Sequence, residues 1–275
     1  MLKININILF KMNEFYKANK DLWNMRTKEH LLGSFYKHDQ FSKTLNSLTE
    51  IELADLTEVK DKSLLHLQCH FGQDTISWAN LGAQATGIDF SEEAIKAAKA
   101  LSAETGVSAT FVECNAYDTP SFVKEQFDIV FTSYGAICWL DDLERWAKMV
   151  HTMVKPGGTF YIAEFHPAIY IFNFETGEIE YTYFQGKAPI ADETEGTYGK
   201  SDSKITYTDY TWIHTISKLI QVLVNEGFEV ETFKEFPFSP YNCFPKMRTV
   251  GENQYVMEFL PKGYPHAFSL KMKKK

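Results

Sequence analysis

From residue 63 onward, apolar and polar positions fall into blocks with a strand–helix rhythm. An apolar run over 63–68 predicts a first strand, and after a turn containing Gly72 the pattern over 73–81 predicts a helix. A second strand covers 84–89 and ends in Asp89. The helix expected over 91–104 has Ser91 as N-cap, with Glu92 and Glu93 at the positive end of its dipole. Ala94, Ile95, Ala98 and Leu101 give it one apolar face at helical spacing. Further strands are expected over 108–114, 127–133 and 159–165. Before the last of these, Asp141 opens a helix with Glu144 three residues on as a capping box, and KPGG (155–158) makes a turn. Repeated strand–helix units with short links predict a parallel sheet with right-handed crossovers.

The flanks depart from this rhythm. Residues 13–57 look helical and rich in aromatics (Phe15, Tyr16, Trp23, Phe35, Tyr36, Phe41), as a cap over the C-terminal end of the sheet would be. Residues 166–211 hold alternating stretches, EIEYTYF and KITYTDYTW, which predict an inserted β-hairpin or small flap. A helix over 213–226 ends at Gly227, FEVETFKEF reads as a strand, and 264–273 as a last one. The expected division is therefore an N-terminal extension and helical cap over 1–57, then an α/β domain over 58–275 carrying the flap at about 166–211.

Composition narrows the function classes. With 275 residues, 44% of them hydrophobic, the chain can bury a large core. A net charge of −8 argues against a nucleic-acid partner, which usually requires a basic face. Cys69, Cys114, Cys138 and Cys243 are scattered, with no CxxC pair for zinc and no disulfide framework; buried free thiols in the cytoplasm are expected, and no metal. The start, MLKININILFKMNEF, is too short and polar for a membrane span, so no membrane partner is expected. With a second Met at position 12, residues 1–11 read as a non-native or poorly ordered extension, and KMKKK at the other end as a solvated tail.

The most informative stretch is 63–90, SLLHLQCHFGQDTISWANLGAQATGIDF. It is a strand–turn–helix–strand unit with a carboxylate at the tip of the second strand, the layout of a nucleoside-binding half-domain. Free N–H groups at the helix start suit an anion, and a carboxylate can accept from both hydroxyls of a ribose. The stretch resembles the first motif of class I S-adenosylmethionine-dependent methyltransferases, usually close to VLDLGCGTG; here it reads LLHLQCHFG. His66 stands where that family mostly has Asp, Gln68 and His70 replace two glycines, and Gly72 keeps its place. The variant is similar to that of a bacterial subfamily of small-molecule methyltransferase-like proteins carrying LQCHFG. The resemblance is strong over roughly 60–165. It implies a Rossmann-like, doubly wound, seven-stranded α/β sheet, mostly parallel with an antiparallel last strand. It also implies S-adenosylmethionine as cofactor and a small-molecule methyl acceptor, and leaves acceptor identity and oligomeric state open.

On that resemblance Gln68, Cys69, His70 and Gly72 face the methionine half of the cofactor, Asp89 its ribose, and Phe90 its adenine. Asn115 and Ala116 follow the third strand, where the family often has Asp-Ala and the acid receives the adenine amino group; an Asn carbonyl can do the same. Ser133 and Tyr134 lie at the mouth of the sheet, where open α/β folds bind ligands. Trp23, Tyr36, Trp139, His166 and Trp212 are candidates for the acceptor pocket, and His166, at the end of the fifth strand, is the candidate general base. Trp212 and His214, at the return from the flap, are weaker candidates of the same kind. Each of these side chains also has an ordinary packing or capping reading. Two other functions stay in view: a cofactor-binding but inactive sensor or scaffold, motivated by the atypical first motif, and a nucleotide-dependent oxidoreductase, whose GxGxxG turn needs glycines where Gln68 and His70 stand.

Overall fold

The structure, a computed structural model, describes residues 6–198 and 206–275. Helices α1 (Ile6–Leu32), α2 (His38–Thr44) and α3 (Glu50–Asp55) precede β1 (Ser63–Leu67), α4 (Gln73–Asn80) and β2 (Gln84–Asp89). Next come α5 (Glu92–Thr105), β3 (Thr110–Glu113), α6 (Thr119–Phe122), β4 (Phe127–Ser133), α7 (Leu143–Met153) and β5 (Val154–Phe165). Strands β6 (Ile190–Glu195) and β7 (Thr206–Thr211) pair antiparallel outside the main sheet. The chain closes with α8 (Ile216–Asn225), β8 (Phe228–Phe236), the pair β9 (Met247–Gly251) and β10 (Gln254–Met257), and β11 (Ala267–Lys274).

The main sheet has seven strands in the order β3-β2-β1-β4-β5-β11-β8. The pairs among β1–β5 are parallel, while β11 runs antiparallel to both neighbours. The last strand is therefore internal, and β8 is the edge. Both faces are covered, which explains why the central strands read as continuous apolar runs rather than alternating ones. On one face Leu65, Leu67, Val130, Phe160 and Phe268 meet Trp146 and Val150 of α7 and Leu219 and Leu223 of α8. On the other, Leu64, Phe131 and Tyr161 meet Trp78 of α4 and Ile51 of α3.

Gly87 shows how tightly the site end of this sheet is built. A Cβ there would lie 2.8 Å from Cys69 Sγ, 2.9 Å from Thr75 Oγ1 and 3.0 Å from the Phe111 ring. Gly87→Ala is expected to lower stability by about 1–3 kcal/mol through overpacking, read as a lower urea midpoint. A midpoint equal to wild type would show that these neighbours yield freely.

Several expectations are corrected. The N-cap of α7 is Asp142, which accepts from Arg145 N–H, while Asp141 accepts from the Tyr117 hydroxyl and Glu144 pairs with Lys218. KPGG is not a separate turn but lies within β5, where the β4 register steps from Val154 to Thr159. EIEYTYF forms no strand beyond one bridge, Phe172 to Ile179, so the hairpin comes from 190–195 and 206–211. KMKKK is not a solvated tail: β11 runs through it, and Lys274 Nζ donates to His151 O and Val154 O. Of the extension expected over 1–11, residues 1–5 lie outside the described residues, and from Ile6 the chain is helical.

Candidate active site

β1 and β2 end side by side, and the chain leaves β1 through a turn whose residues Gln68, His70 and Gly72 have φ of 53°, 50° and 81°. Positive φ at two non-glycine positions stores backbone strain, which tends to collect at functional sites. Gln68 Nε2 donates to Ala136 O, fastening the turn to the segment after β4. Gln68 Oε1 and His70 Nδ1 are buried without a hydrogen-bond partner among the described residues. Asp89 receives N–H bonds from His70 (2.9 Å) and Ser91 (2.8 Å) and is 6% exposed. Burial pushes its carboxyl up to about 6 against the pull of these bonds. At Gly72 a Cβ would meet Phe111 at 2.6 Å, so packing as well as ligand approach excludes a larger residue.

A second polar group lies behind the turn. His66 Nδ1 is 2.9 Å from Thr75 Oγ1 and its Nε2 3.4 Å from Ser133 Oγ, which donates to Asp74 Oδ2. Burial lowers His66 to about 3, so it is neutral and carries no compensating charge. The charge in this network belongs to Asp74, a residue that sequence reasoning passed over. Its signal was an acid in the first turn of the helix after the motif.

Helix α1 crosses the ends of β1, β2 and β3 with a stripe of large and polar side chains. Tyr16 packs on Phe90 (5.5 Å between ring centres), Lys20 pairs with Glu113, and Asn24 accepts from the Ser91 hydroxyl. Trp23 meets His70 and Trp139 edge-on at 5.4 and 5.3 Å, and His30 Nδ1 is 3.3 Å from His70 Nε2. The helix is bolted to the hairpin. Arg26 pairs with Asp209, and Asn19 exchanges two hydrogen bonds with the backbone of Tyr210. Tyr36 shares a hydroxyl contact of 2.7 Å with Tyr198 and accepts from Gln73 through its carbonyl.

Beyond β4 and β5 a small cavity is lined by Ile137, Cys138, Glu164, Phe165, Pro167, Tyr170, Trp212 and His214. Glu164, 2% exposed, organises its floor by accepting from the backbone N–H groups of Gly135, Ala136, Ile137 and Phe165. The Trp212 backbone N–H donates to Cys138 O, and His214 Nε2 lies 2.6 Å from Leu140 O. The hairpin's return is thereby stitched to the 3-10 turn Ile137–Trp139.

The expected residues thus divide. His70 meets Trp23, which meets Trp139, and its N–H donates to Asp89, while Gln68 reaches Ala136 and Phe90 packs on Tyr16. Cys69 is buried in a core cluster with Ile76, Ala98 and Phe111, Gly72 sits against Phe111, and Trp212 lines the cavity. Ala116 is buried, and the Asn115 side chain accepts from Tyr117 N–H as the cap of a short turn, using one of its carbonyl lone pairs. Tyr134 packs against Phe165 and Tyr241. His166 does not fit a base role. Its Nδ1 accepts from Ala168 N–H and its Nε2 faces Glu235 at 2.9 Å, so neither ring nitrogen is free for a substrate.

A doubly wound sheet with a strained turn after β1 and a carboxylate at the tip of β2 defines the class I nucleoside-cofactor architecture. The methyltransferase domain family matches residues 65–162. A ubiquinone biosynthesis O-methyltransferase of Pseudomonas syringae pv. tomato is 27% identical over 160 residues, 56% of this chain and 68% of that one. An uncharacterised methyltransferase of Synechocystis is 32% identical over 125 residues, so the chain spans 57% of its length. In fold, an S-adenosylmethionine-dependent methyltransferase from Clostridium acetobutylicum is similar at a TM-score of 0.56 and 12% identity, over 87% of this chain and 92% of that one. A glycopeptide N-methyltransferase aligns at 0.54 and 16%, over 82% and 88%. This chain carries a class I S-adenosylmethionine-dependent methyltransferase domain, with S-adenosylmethionine as its cofactor.

Proposed function

We propose that the chain transfers a methyl group to a hydroxyl oxygen of a small aromatic acceptor seated among Cys138, Phe165, Tyr170, Trp212 and His214. The observation carrying this reading is the cavity itself. It is closed in this structure to about 10 Å³, room for one water, and has to widen to admit the acceptor. Its walls are aromatic with few polar atoms, and it lies past the ends of β4 and β5, joined to the first turn through Gln68 and Ala136. The O-methyltransferase relative supports oxygen as the acceptor atom. The negative net charge supports a partner other than nucleic acid, and the scattered free cysteines support the cytoplasm. Among the described residues no helix is long and apolar enough to cross a membrane.

The residues present fit the cofactor, because two buried polar atoms without partners among the described residues, Gln68 Oε1 and His70 Nδ1, lie at its expected methionine end. In this reading Asp89 accepts from the ribose hydroxyls, and Phe90 and Asn115 flank the adenine. Asp74 with Ser133 faces the methionine ammonium, supplying the charge that His66 lacks. S-adenosylmethionine supplies a methyl carbon already activated by its sulfonium, so the chain mainly aligns the acceptor and excludes water.

Incubation with methyl-labelled S-adenosylmethionine and a metabolite extract is expected to place label in an aromatic methyl ether. Label in an N-methyl or S-methyl product would contradict the oxygen reading. Because α1 lies on the turn and on Asp89's neighbours, S-adenosylhomocysteine is expected to change hydrogen exchange across 13–45, with protection in the bound state. Equal exchange in both states would make α1 a static packing element.

A further inference from the structure

We propose that His214 takes the acceptor's hydroxyl proton; this rests on the hydroxyl-acceptor reading above. Leu140 O is a carbonyl and can only accept, so the 2.6 Å contact assigns the ring hydrogen to Nε2. Nδ1 then carries the lone pair. It has no hydrogen-bond partner among the described residues, and its ring lines the cavity with Cys138, Trp212 and Glu164. Of the other histidines near the site, His166 is committed to Ala168 and Glu235, His66 to Thr75 and Ser133, and His30 to His70 and Thr197. His70 keeps its Nδ1, unpartnered among the described residues, at the cofactor's expected methionine end rather than in the cavity. The bond to Leu140 does for His214 what an orienting acid does in other acid–base pairs, fixing tautomer and ring plane.

The step balances with groups on the page. The acceptor oxygen forms its bond to the methyl carbon as the carbon–sulfur bond breaks, the electron pair going to sulfur to leave S-adenosylhomocysteine. The hydroxyl proton passes to Nδ1, giving an imidazolium that still donates through Nε2 to Leu140. Asp141 and Glu144 favour that cation, Lys218 opposes it, and burial is the dominant influence, holding the resting imidazole neutral at pH 7. On the cavity side the titratable neighbours are the Glu164 carboxyl, the Cys138 thiol and the Tyr170 phenol.

The test compares two phenols and two variants at mildly alkaline pH, with 4-methoxyphenol as an un-ionised acceptor and 4-nitrophenol as a largely ionised one. His214→Ala removes the ring, and His214→Gln keeps a donor for Leu140 O without a basic nitrogen. Unchanged calorimetric affinity for S-adenosylhomocysteine establishes that the variants are folded. Both are expected to slow methylation of 4-methoxyphenol roughly 10²–10⁴-fold, with 4-nitrophenol slowed less than about tenfold because its proton is already gone. Added imidazole is expected to restore part of the His214→Ala rate. Nitrogen-15 NMR of the free protein is expected to show the Nε2–H tautomer at neutral pH. Equal slowing of both phenols, or an Nδ1–H tautomer, overturns the assignment while leaving the hydroxyl reading intact. Wild-type turnover of neither phenol overturns both.

Discussion

Asp89→Ala is expected to weaken S-adenosylhomocysteine binding by about 2–4 kcal/mol, roughly 30- to 1000-fold, because it removes two charge-assisted hydrogen bonds to the ribose. The carboxyl is well placed for this loss. His70 and Ser91 N–H groups hold it rigidly, each taking one lone pair and leaving others for the ligand. Its pH behaviour gives an independent check. Burial raises it to about 6, above the ordinary value of about 3.9, and only the ionised form accepts from both hydroxyls. Affinity is therefore expected to be full above pH 6 and to fall as pH drops through it, with no such transition in the Ala variant. In the ligand-free protein the sign reverses. A carboxyl raised on folding contributes stability below its unfolded value, and that contribution is lost as pH rises from about 4 through about 6. Calorimetric titration across this range reads the binding, and unchanged affinity in a folded Asp89→Ala protein would remove the residue from the ribose site.

Glu164→Ala is expected to lower stability by about 3–5 kcal/mol, because it strands buried N–H donors of Gly135, Ala136 and Ile137 at once. The turn these donors hold carries Cys138 and Trp139, so acceptor binding is expected to fail along with stability. Glu164→Gln is also expected to destabilise, since an amide turns one accepting oxygen into a donor that faces donors. Urea unfolding with S-adenosylhomocysteine absent measures both variants. A Glu164→Ala midpoint close to wild type would mean that water or another carbonyl replaces the carboxylate without loss.

The sheet was legible because its strands are buried on both faces and its turns carry ordinary caps. Strands at 84–89 and 127–133 coincide with apolar runs, the edge strand 228–236 reads instead from its β-forming residues, and Ser91 caps α5 as its sequence suggests. Boundaries blurred where tertiary contacts chose between local options. Asp141 and Asp142 are equivalent caps by sequence, and the Tyr117 hydroxyl takes the first, leaving the second for Arg145 N–H. The Lys-rich end reads as solvated, yet alternate residues of β11 face the core and Lys274 reaches two carbonyls. In the site, the turn after β1 and the carboxylate that ends β2 were legible from the strand–turn–helix–strand pattern, and their roles toward a cofactor were implied by the family resemblance. Asp74, Glu164 and the orientation of His214 were not, because their roles depend on partners far along the chain: Ser47 and Ser133, the Gly135–Ile137 turn, and Leu140. His166 illustrates the converse. A histidine at a strand end has the right chemistry, but Ala168 N–H and Glu235 claim both nitrogens.

A crystal structure of the protein with S-adenosylhomocysteine tests the central claim most directly. The expected result has both ribose hydroxyls within hydrogen-bond distance of the Asp89 carboxylate, and the amino-acid end against Gln68, His70 and the Asp74–Ser133 pair. The sulfur is expected to face the cavity bounded by Cys138, Trp212 and His214. A ligand whose ribose lies away from Asp89, or whose sulfur points away from that cavity, would contradict the account.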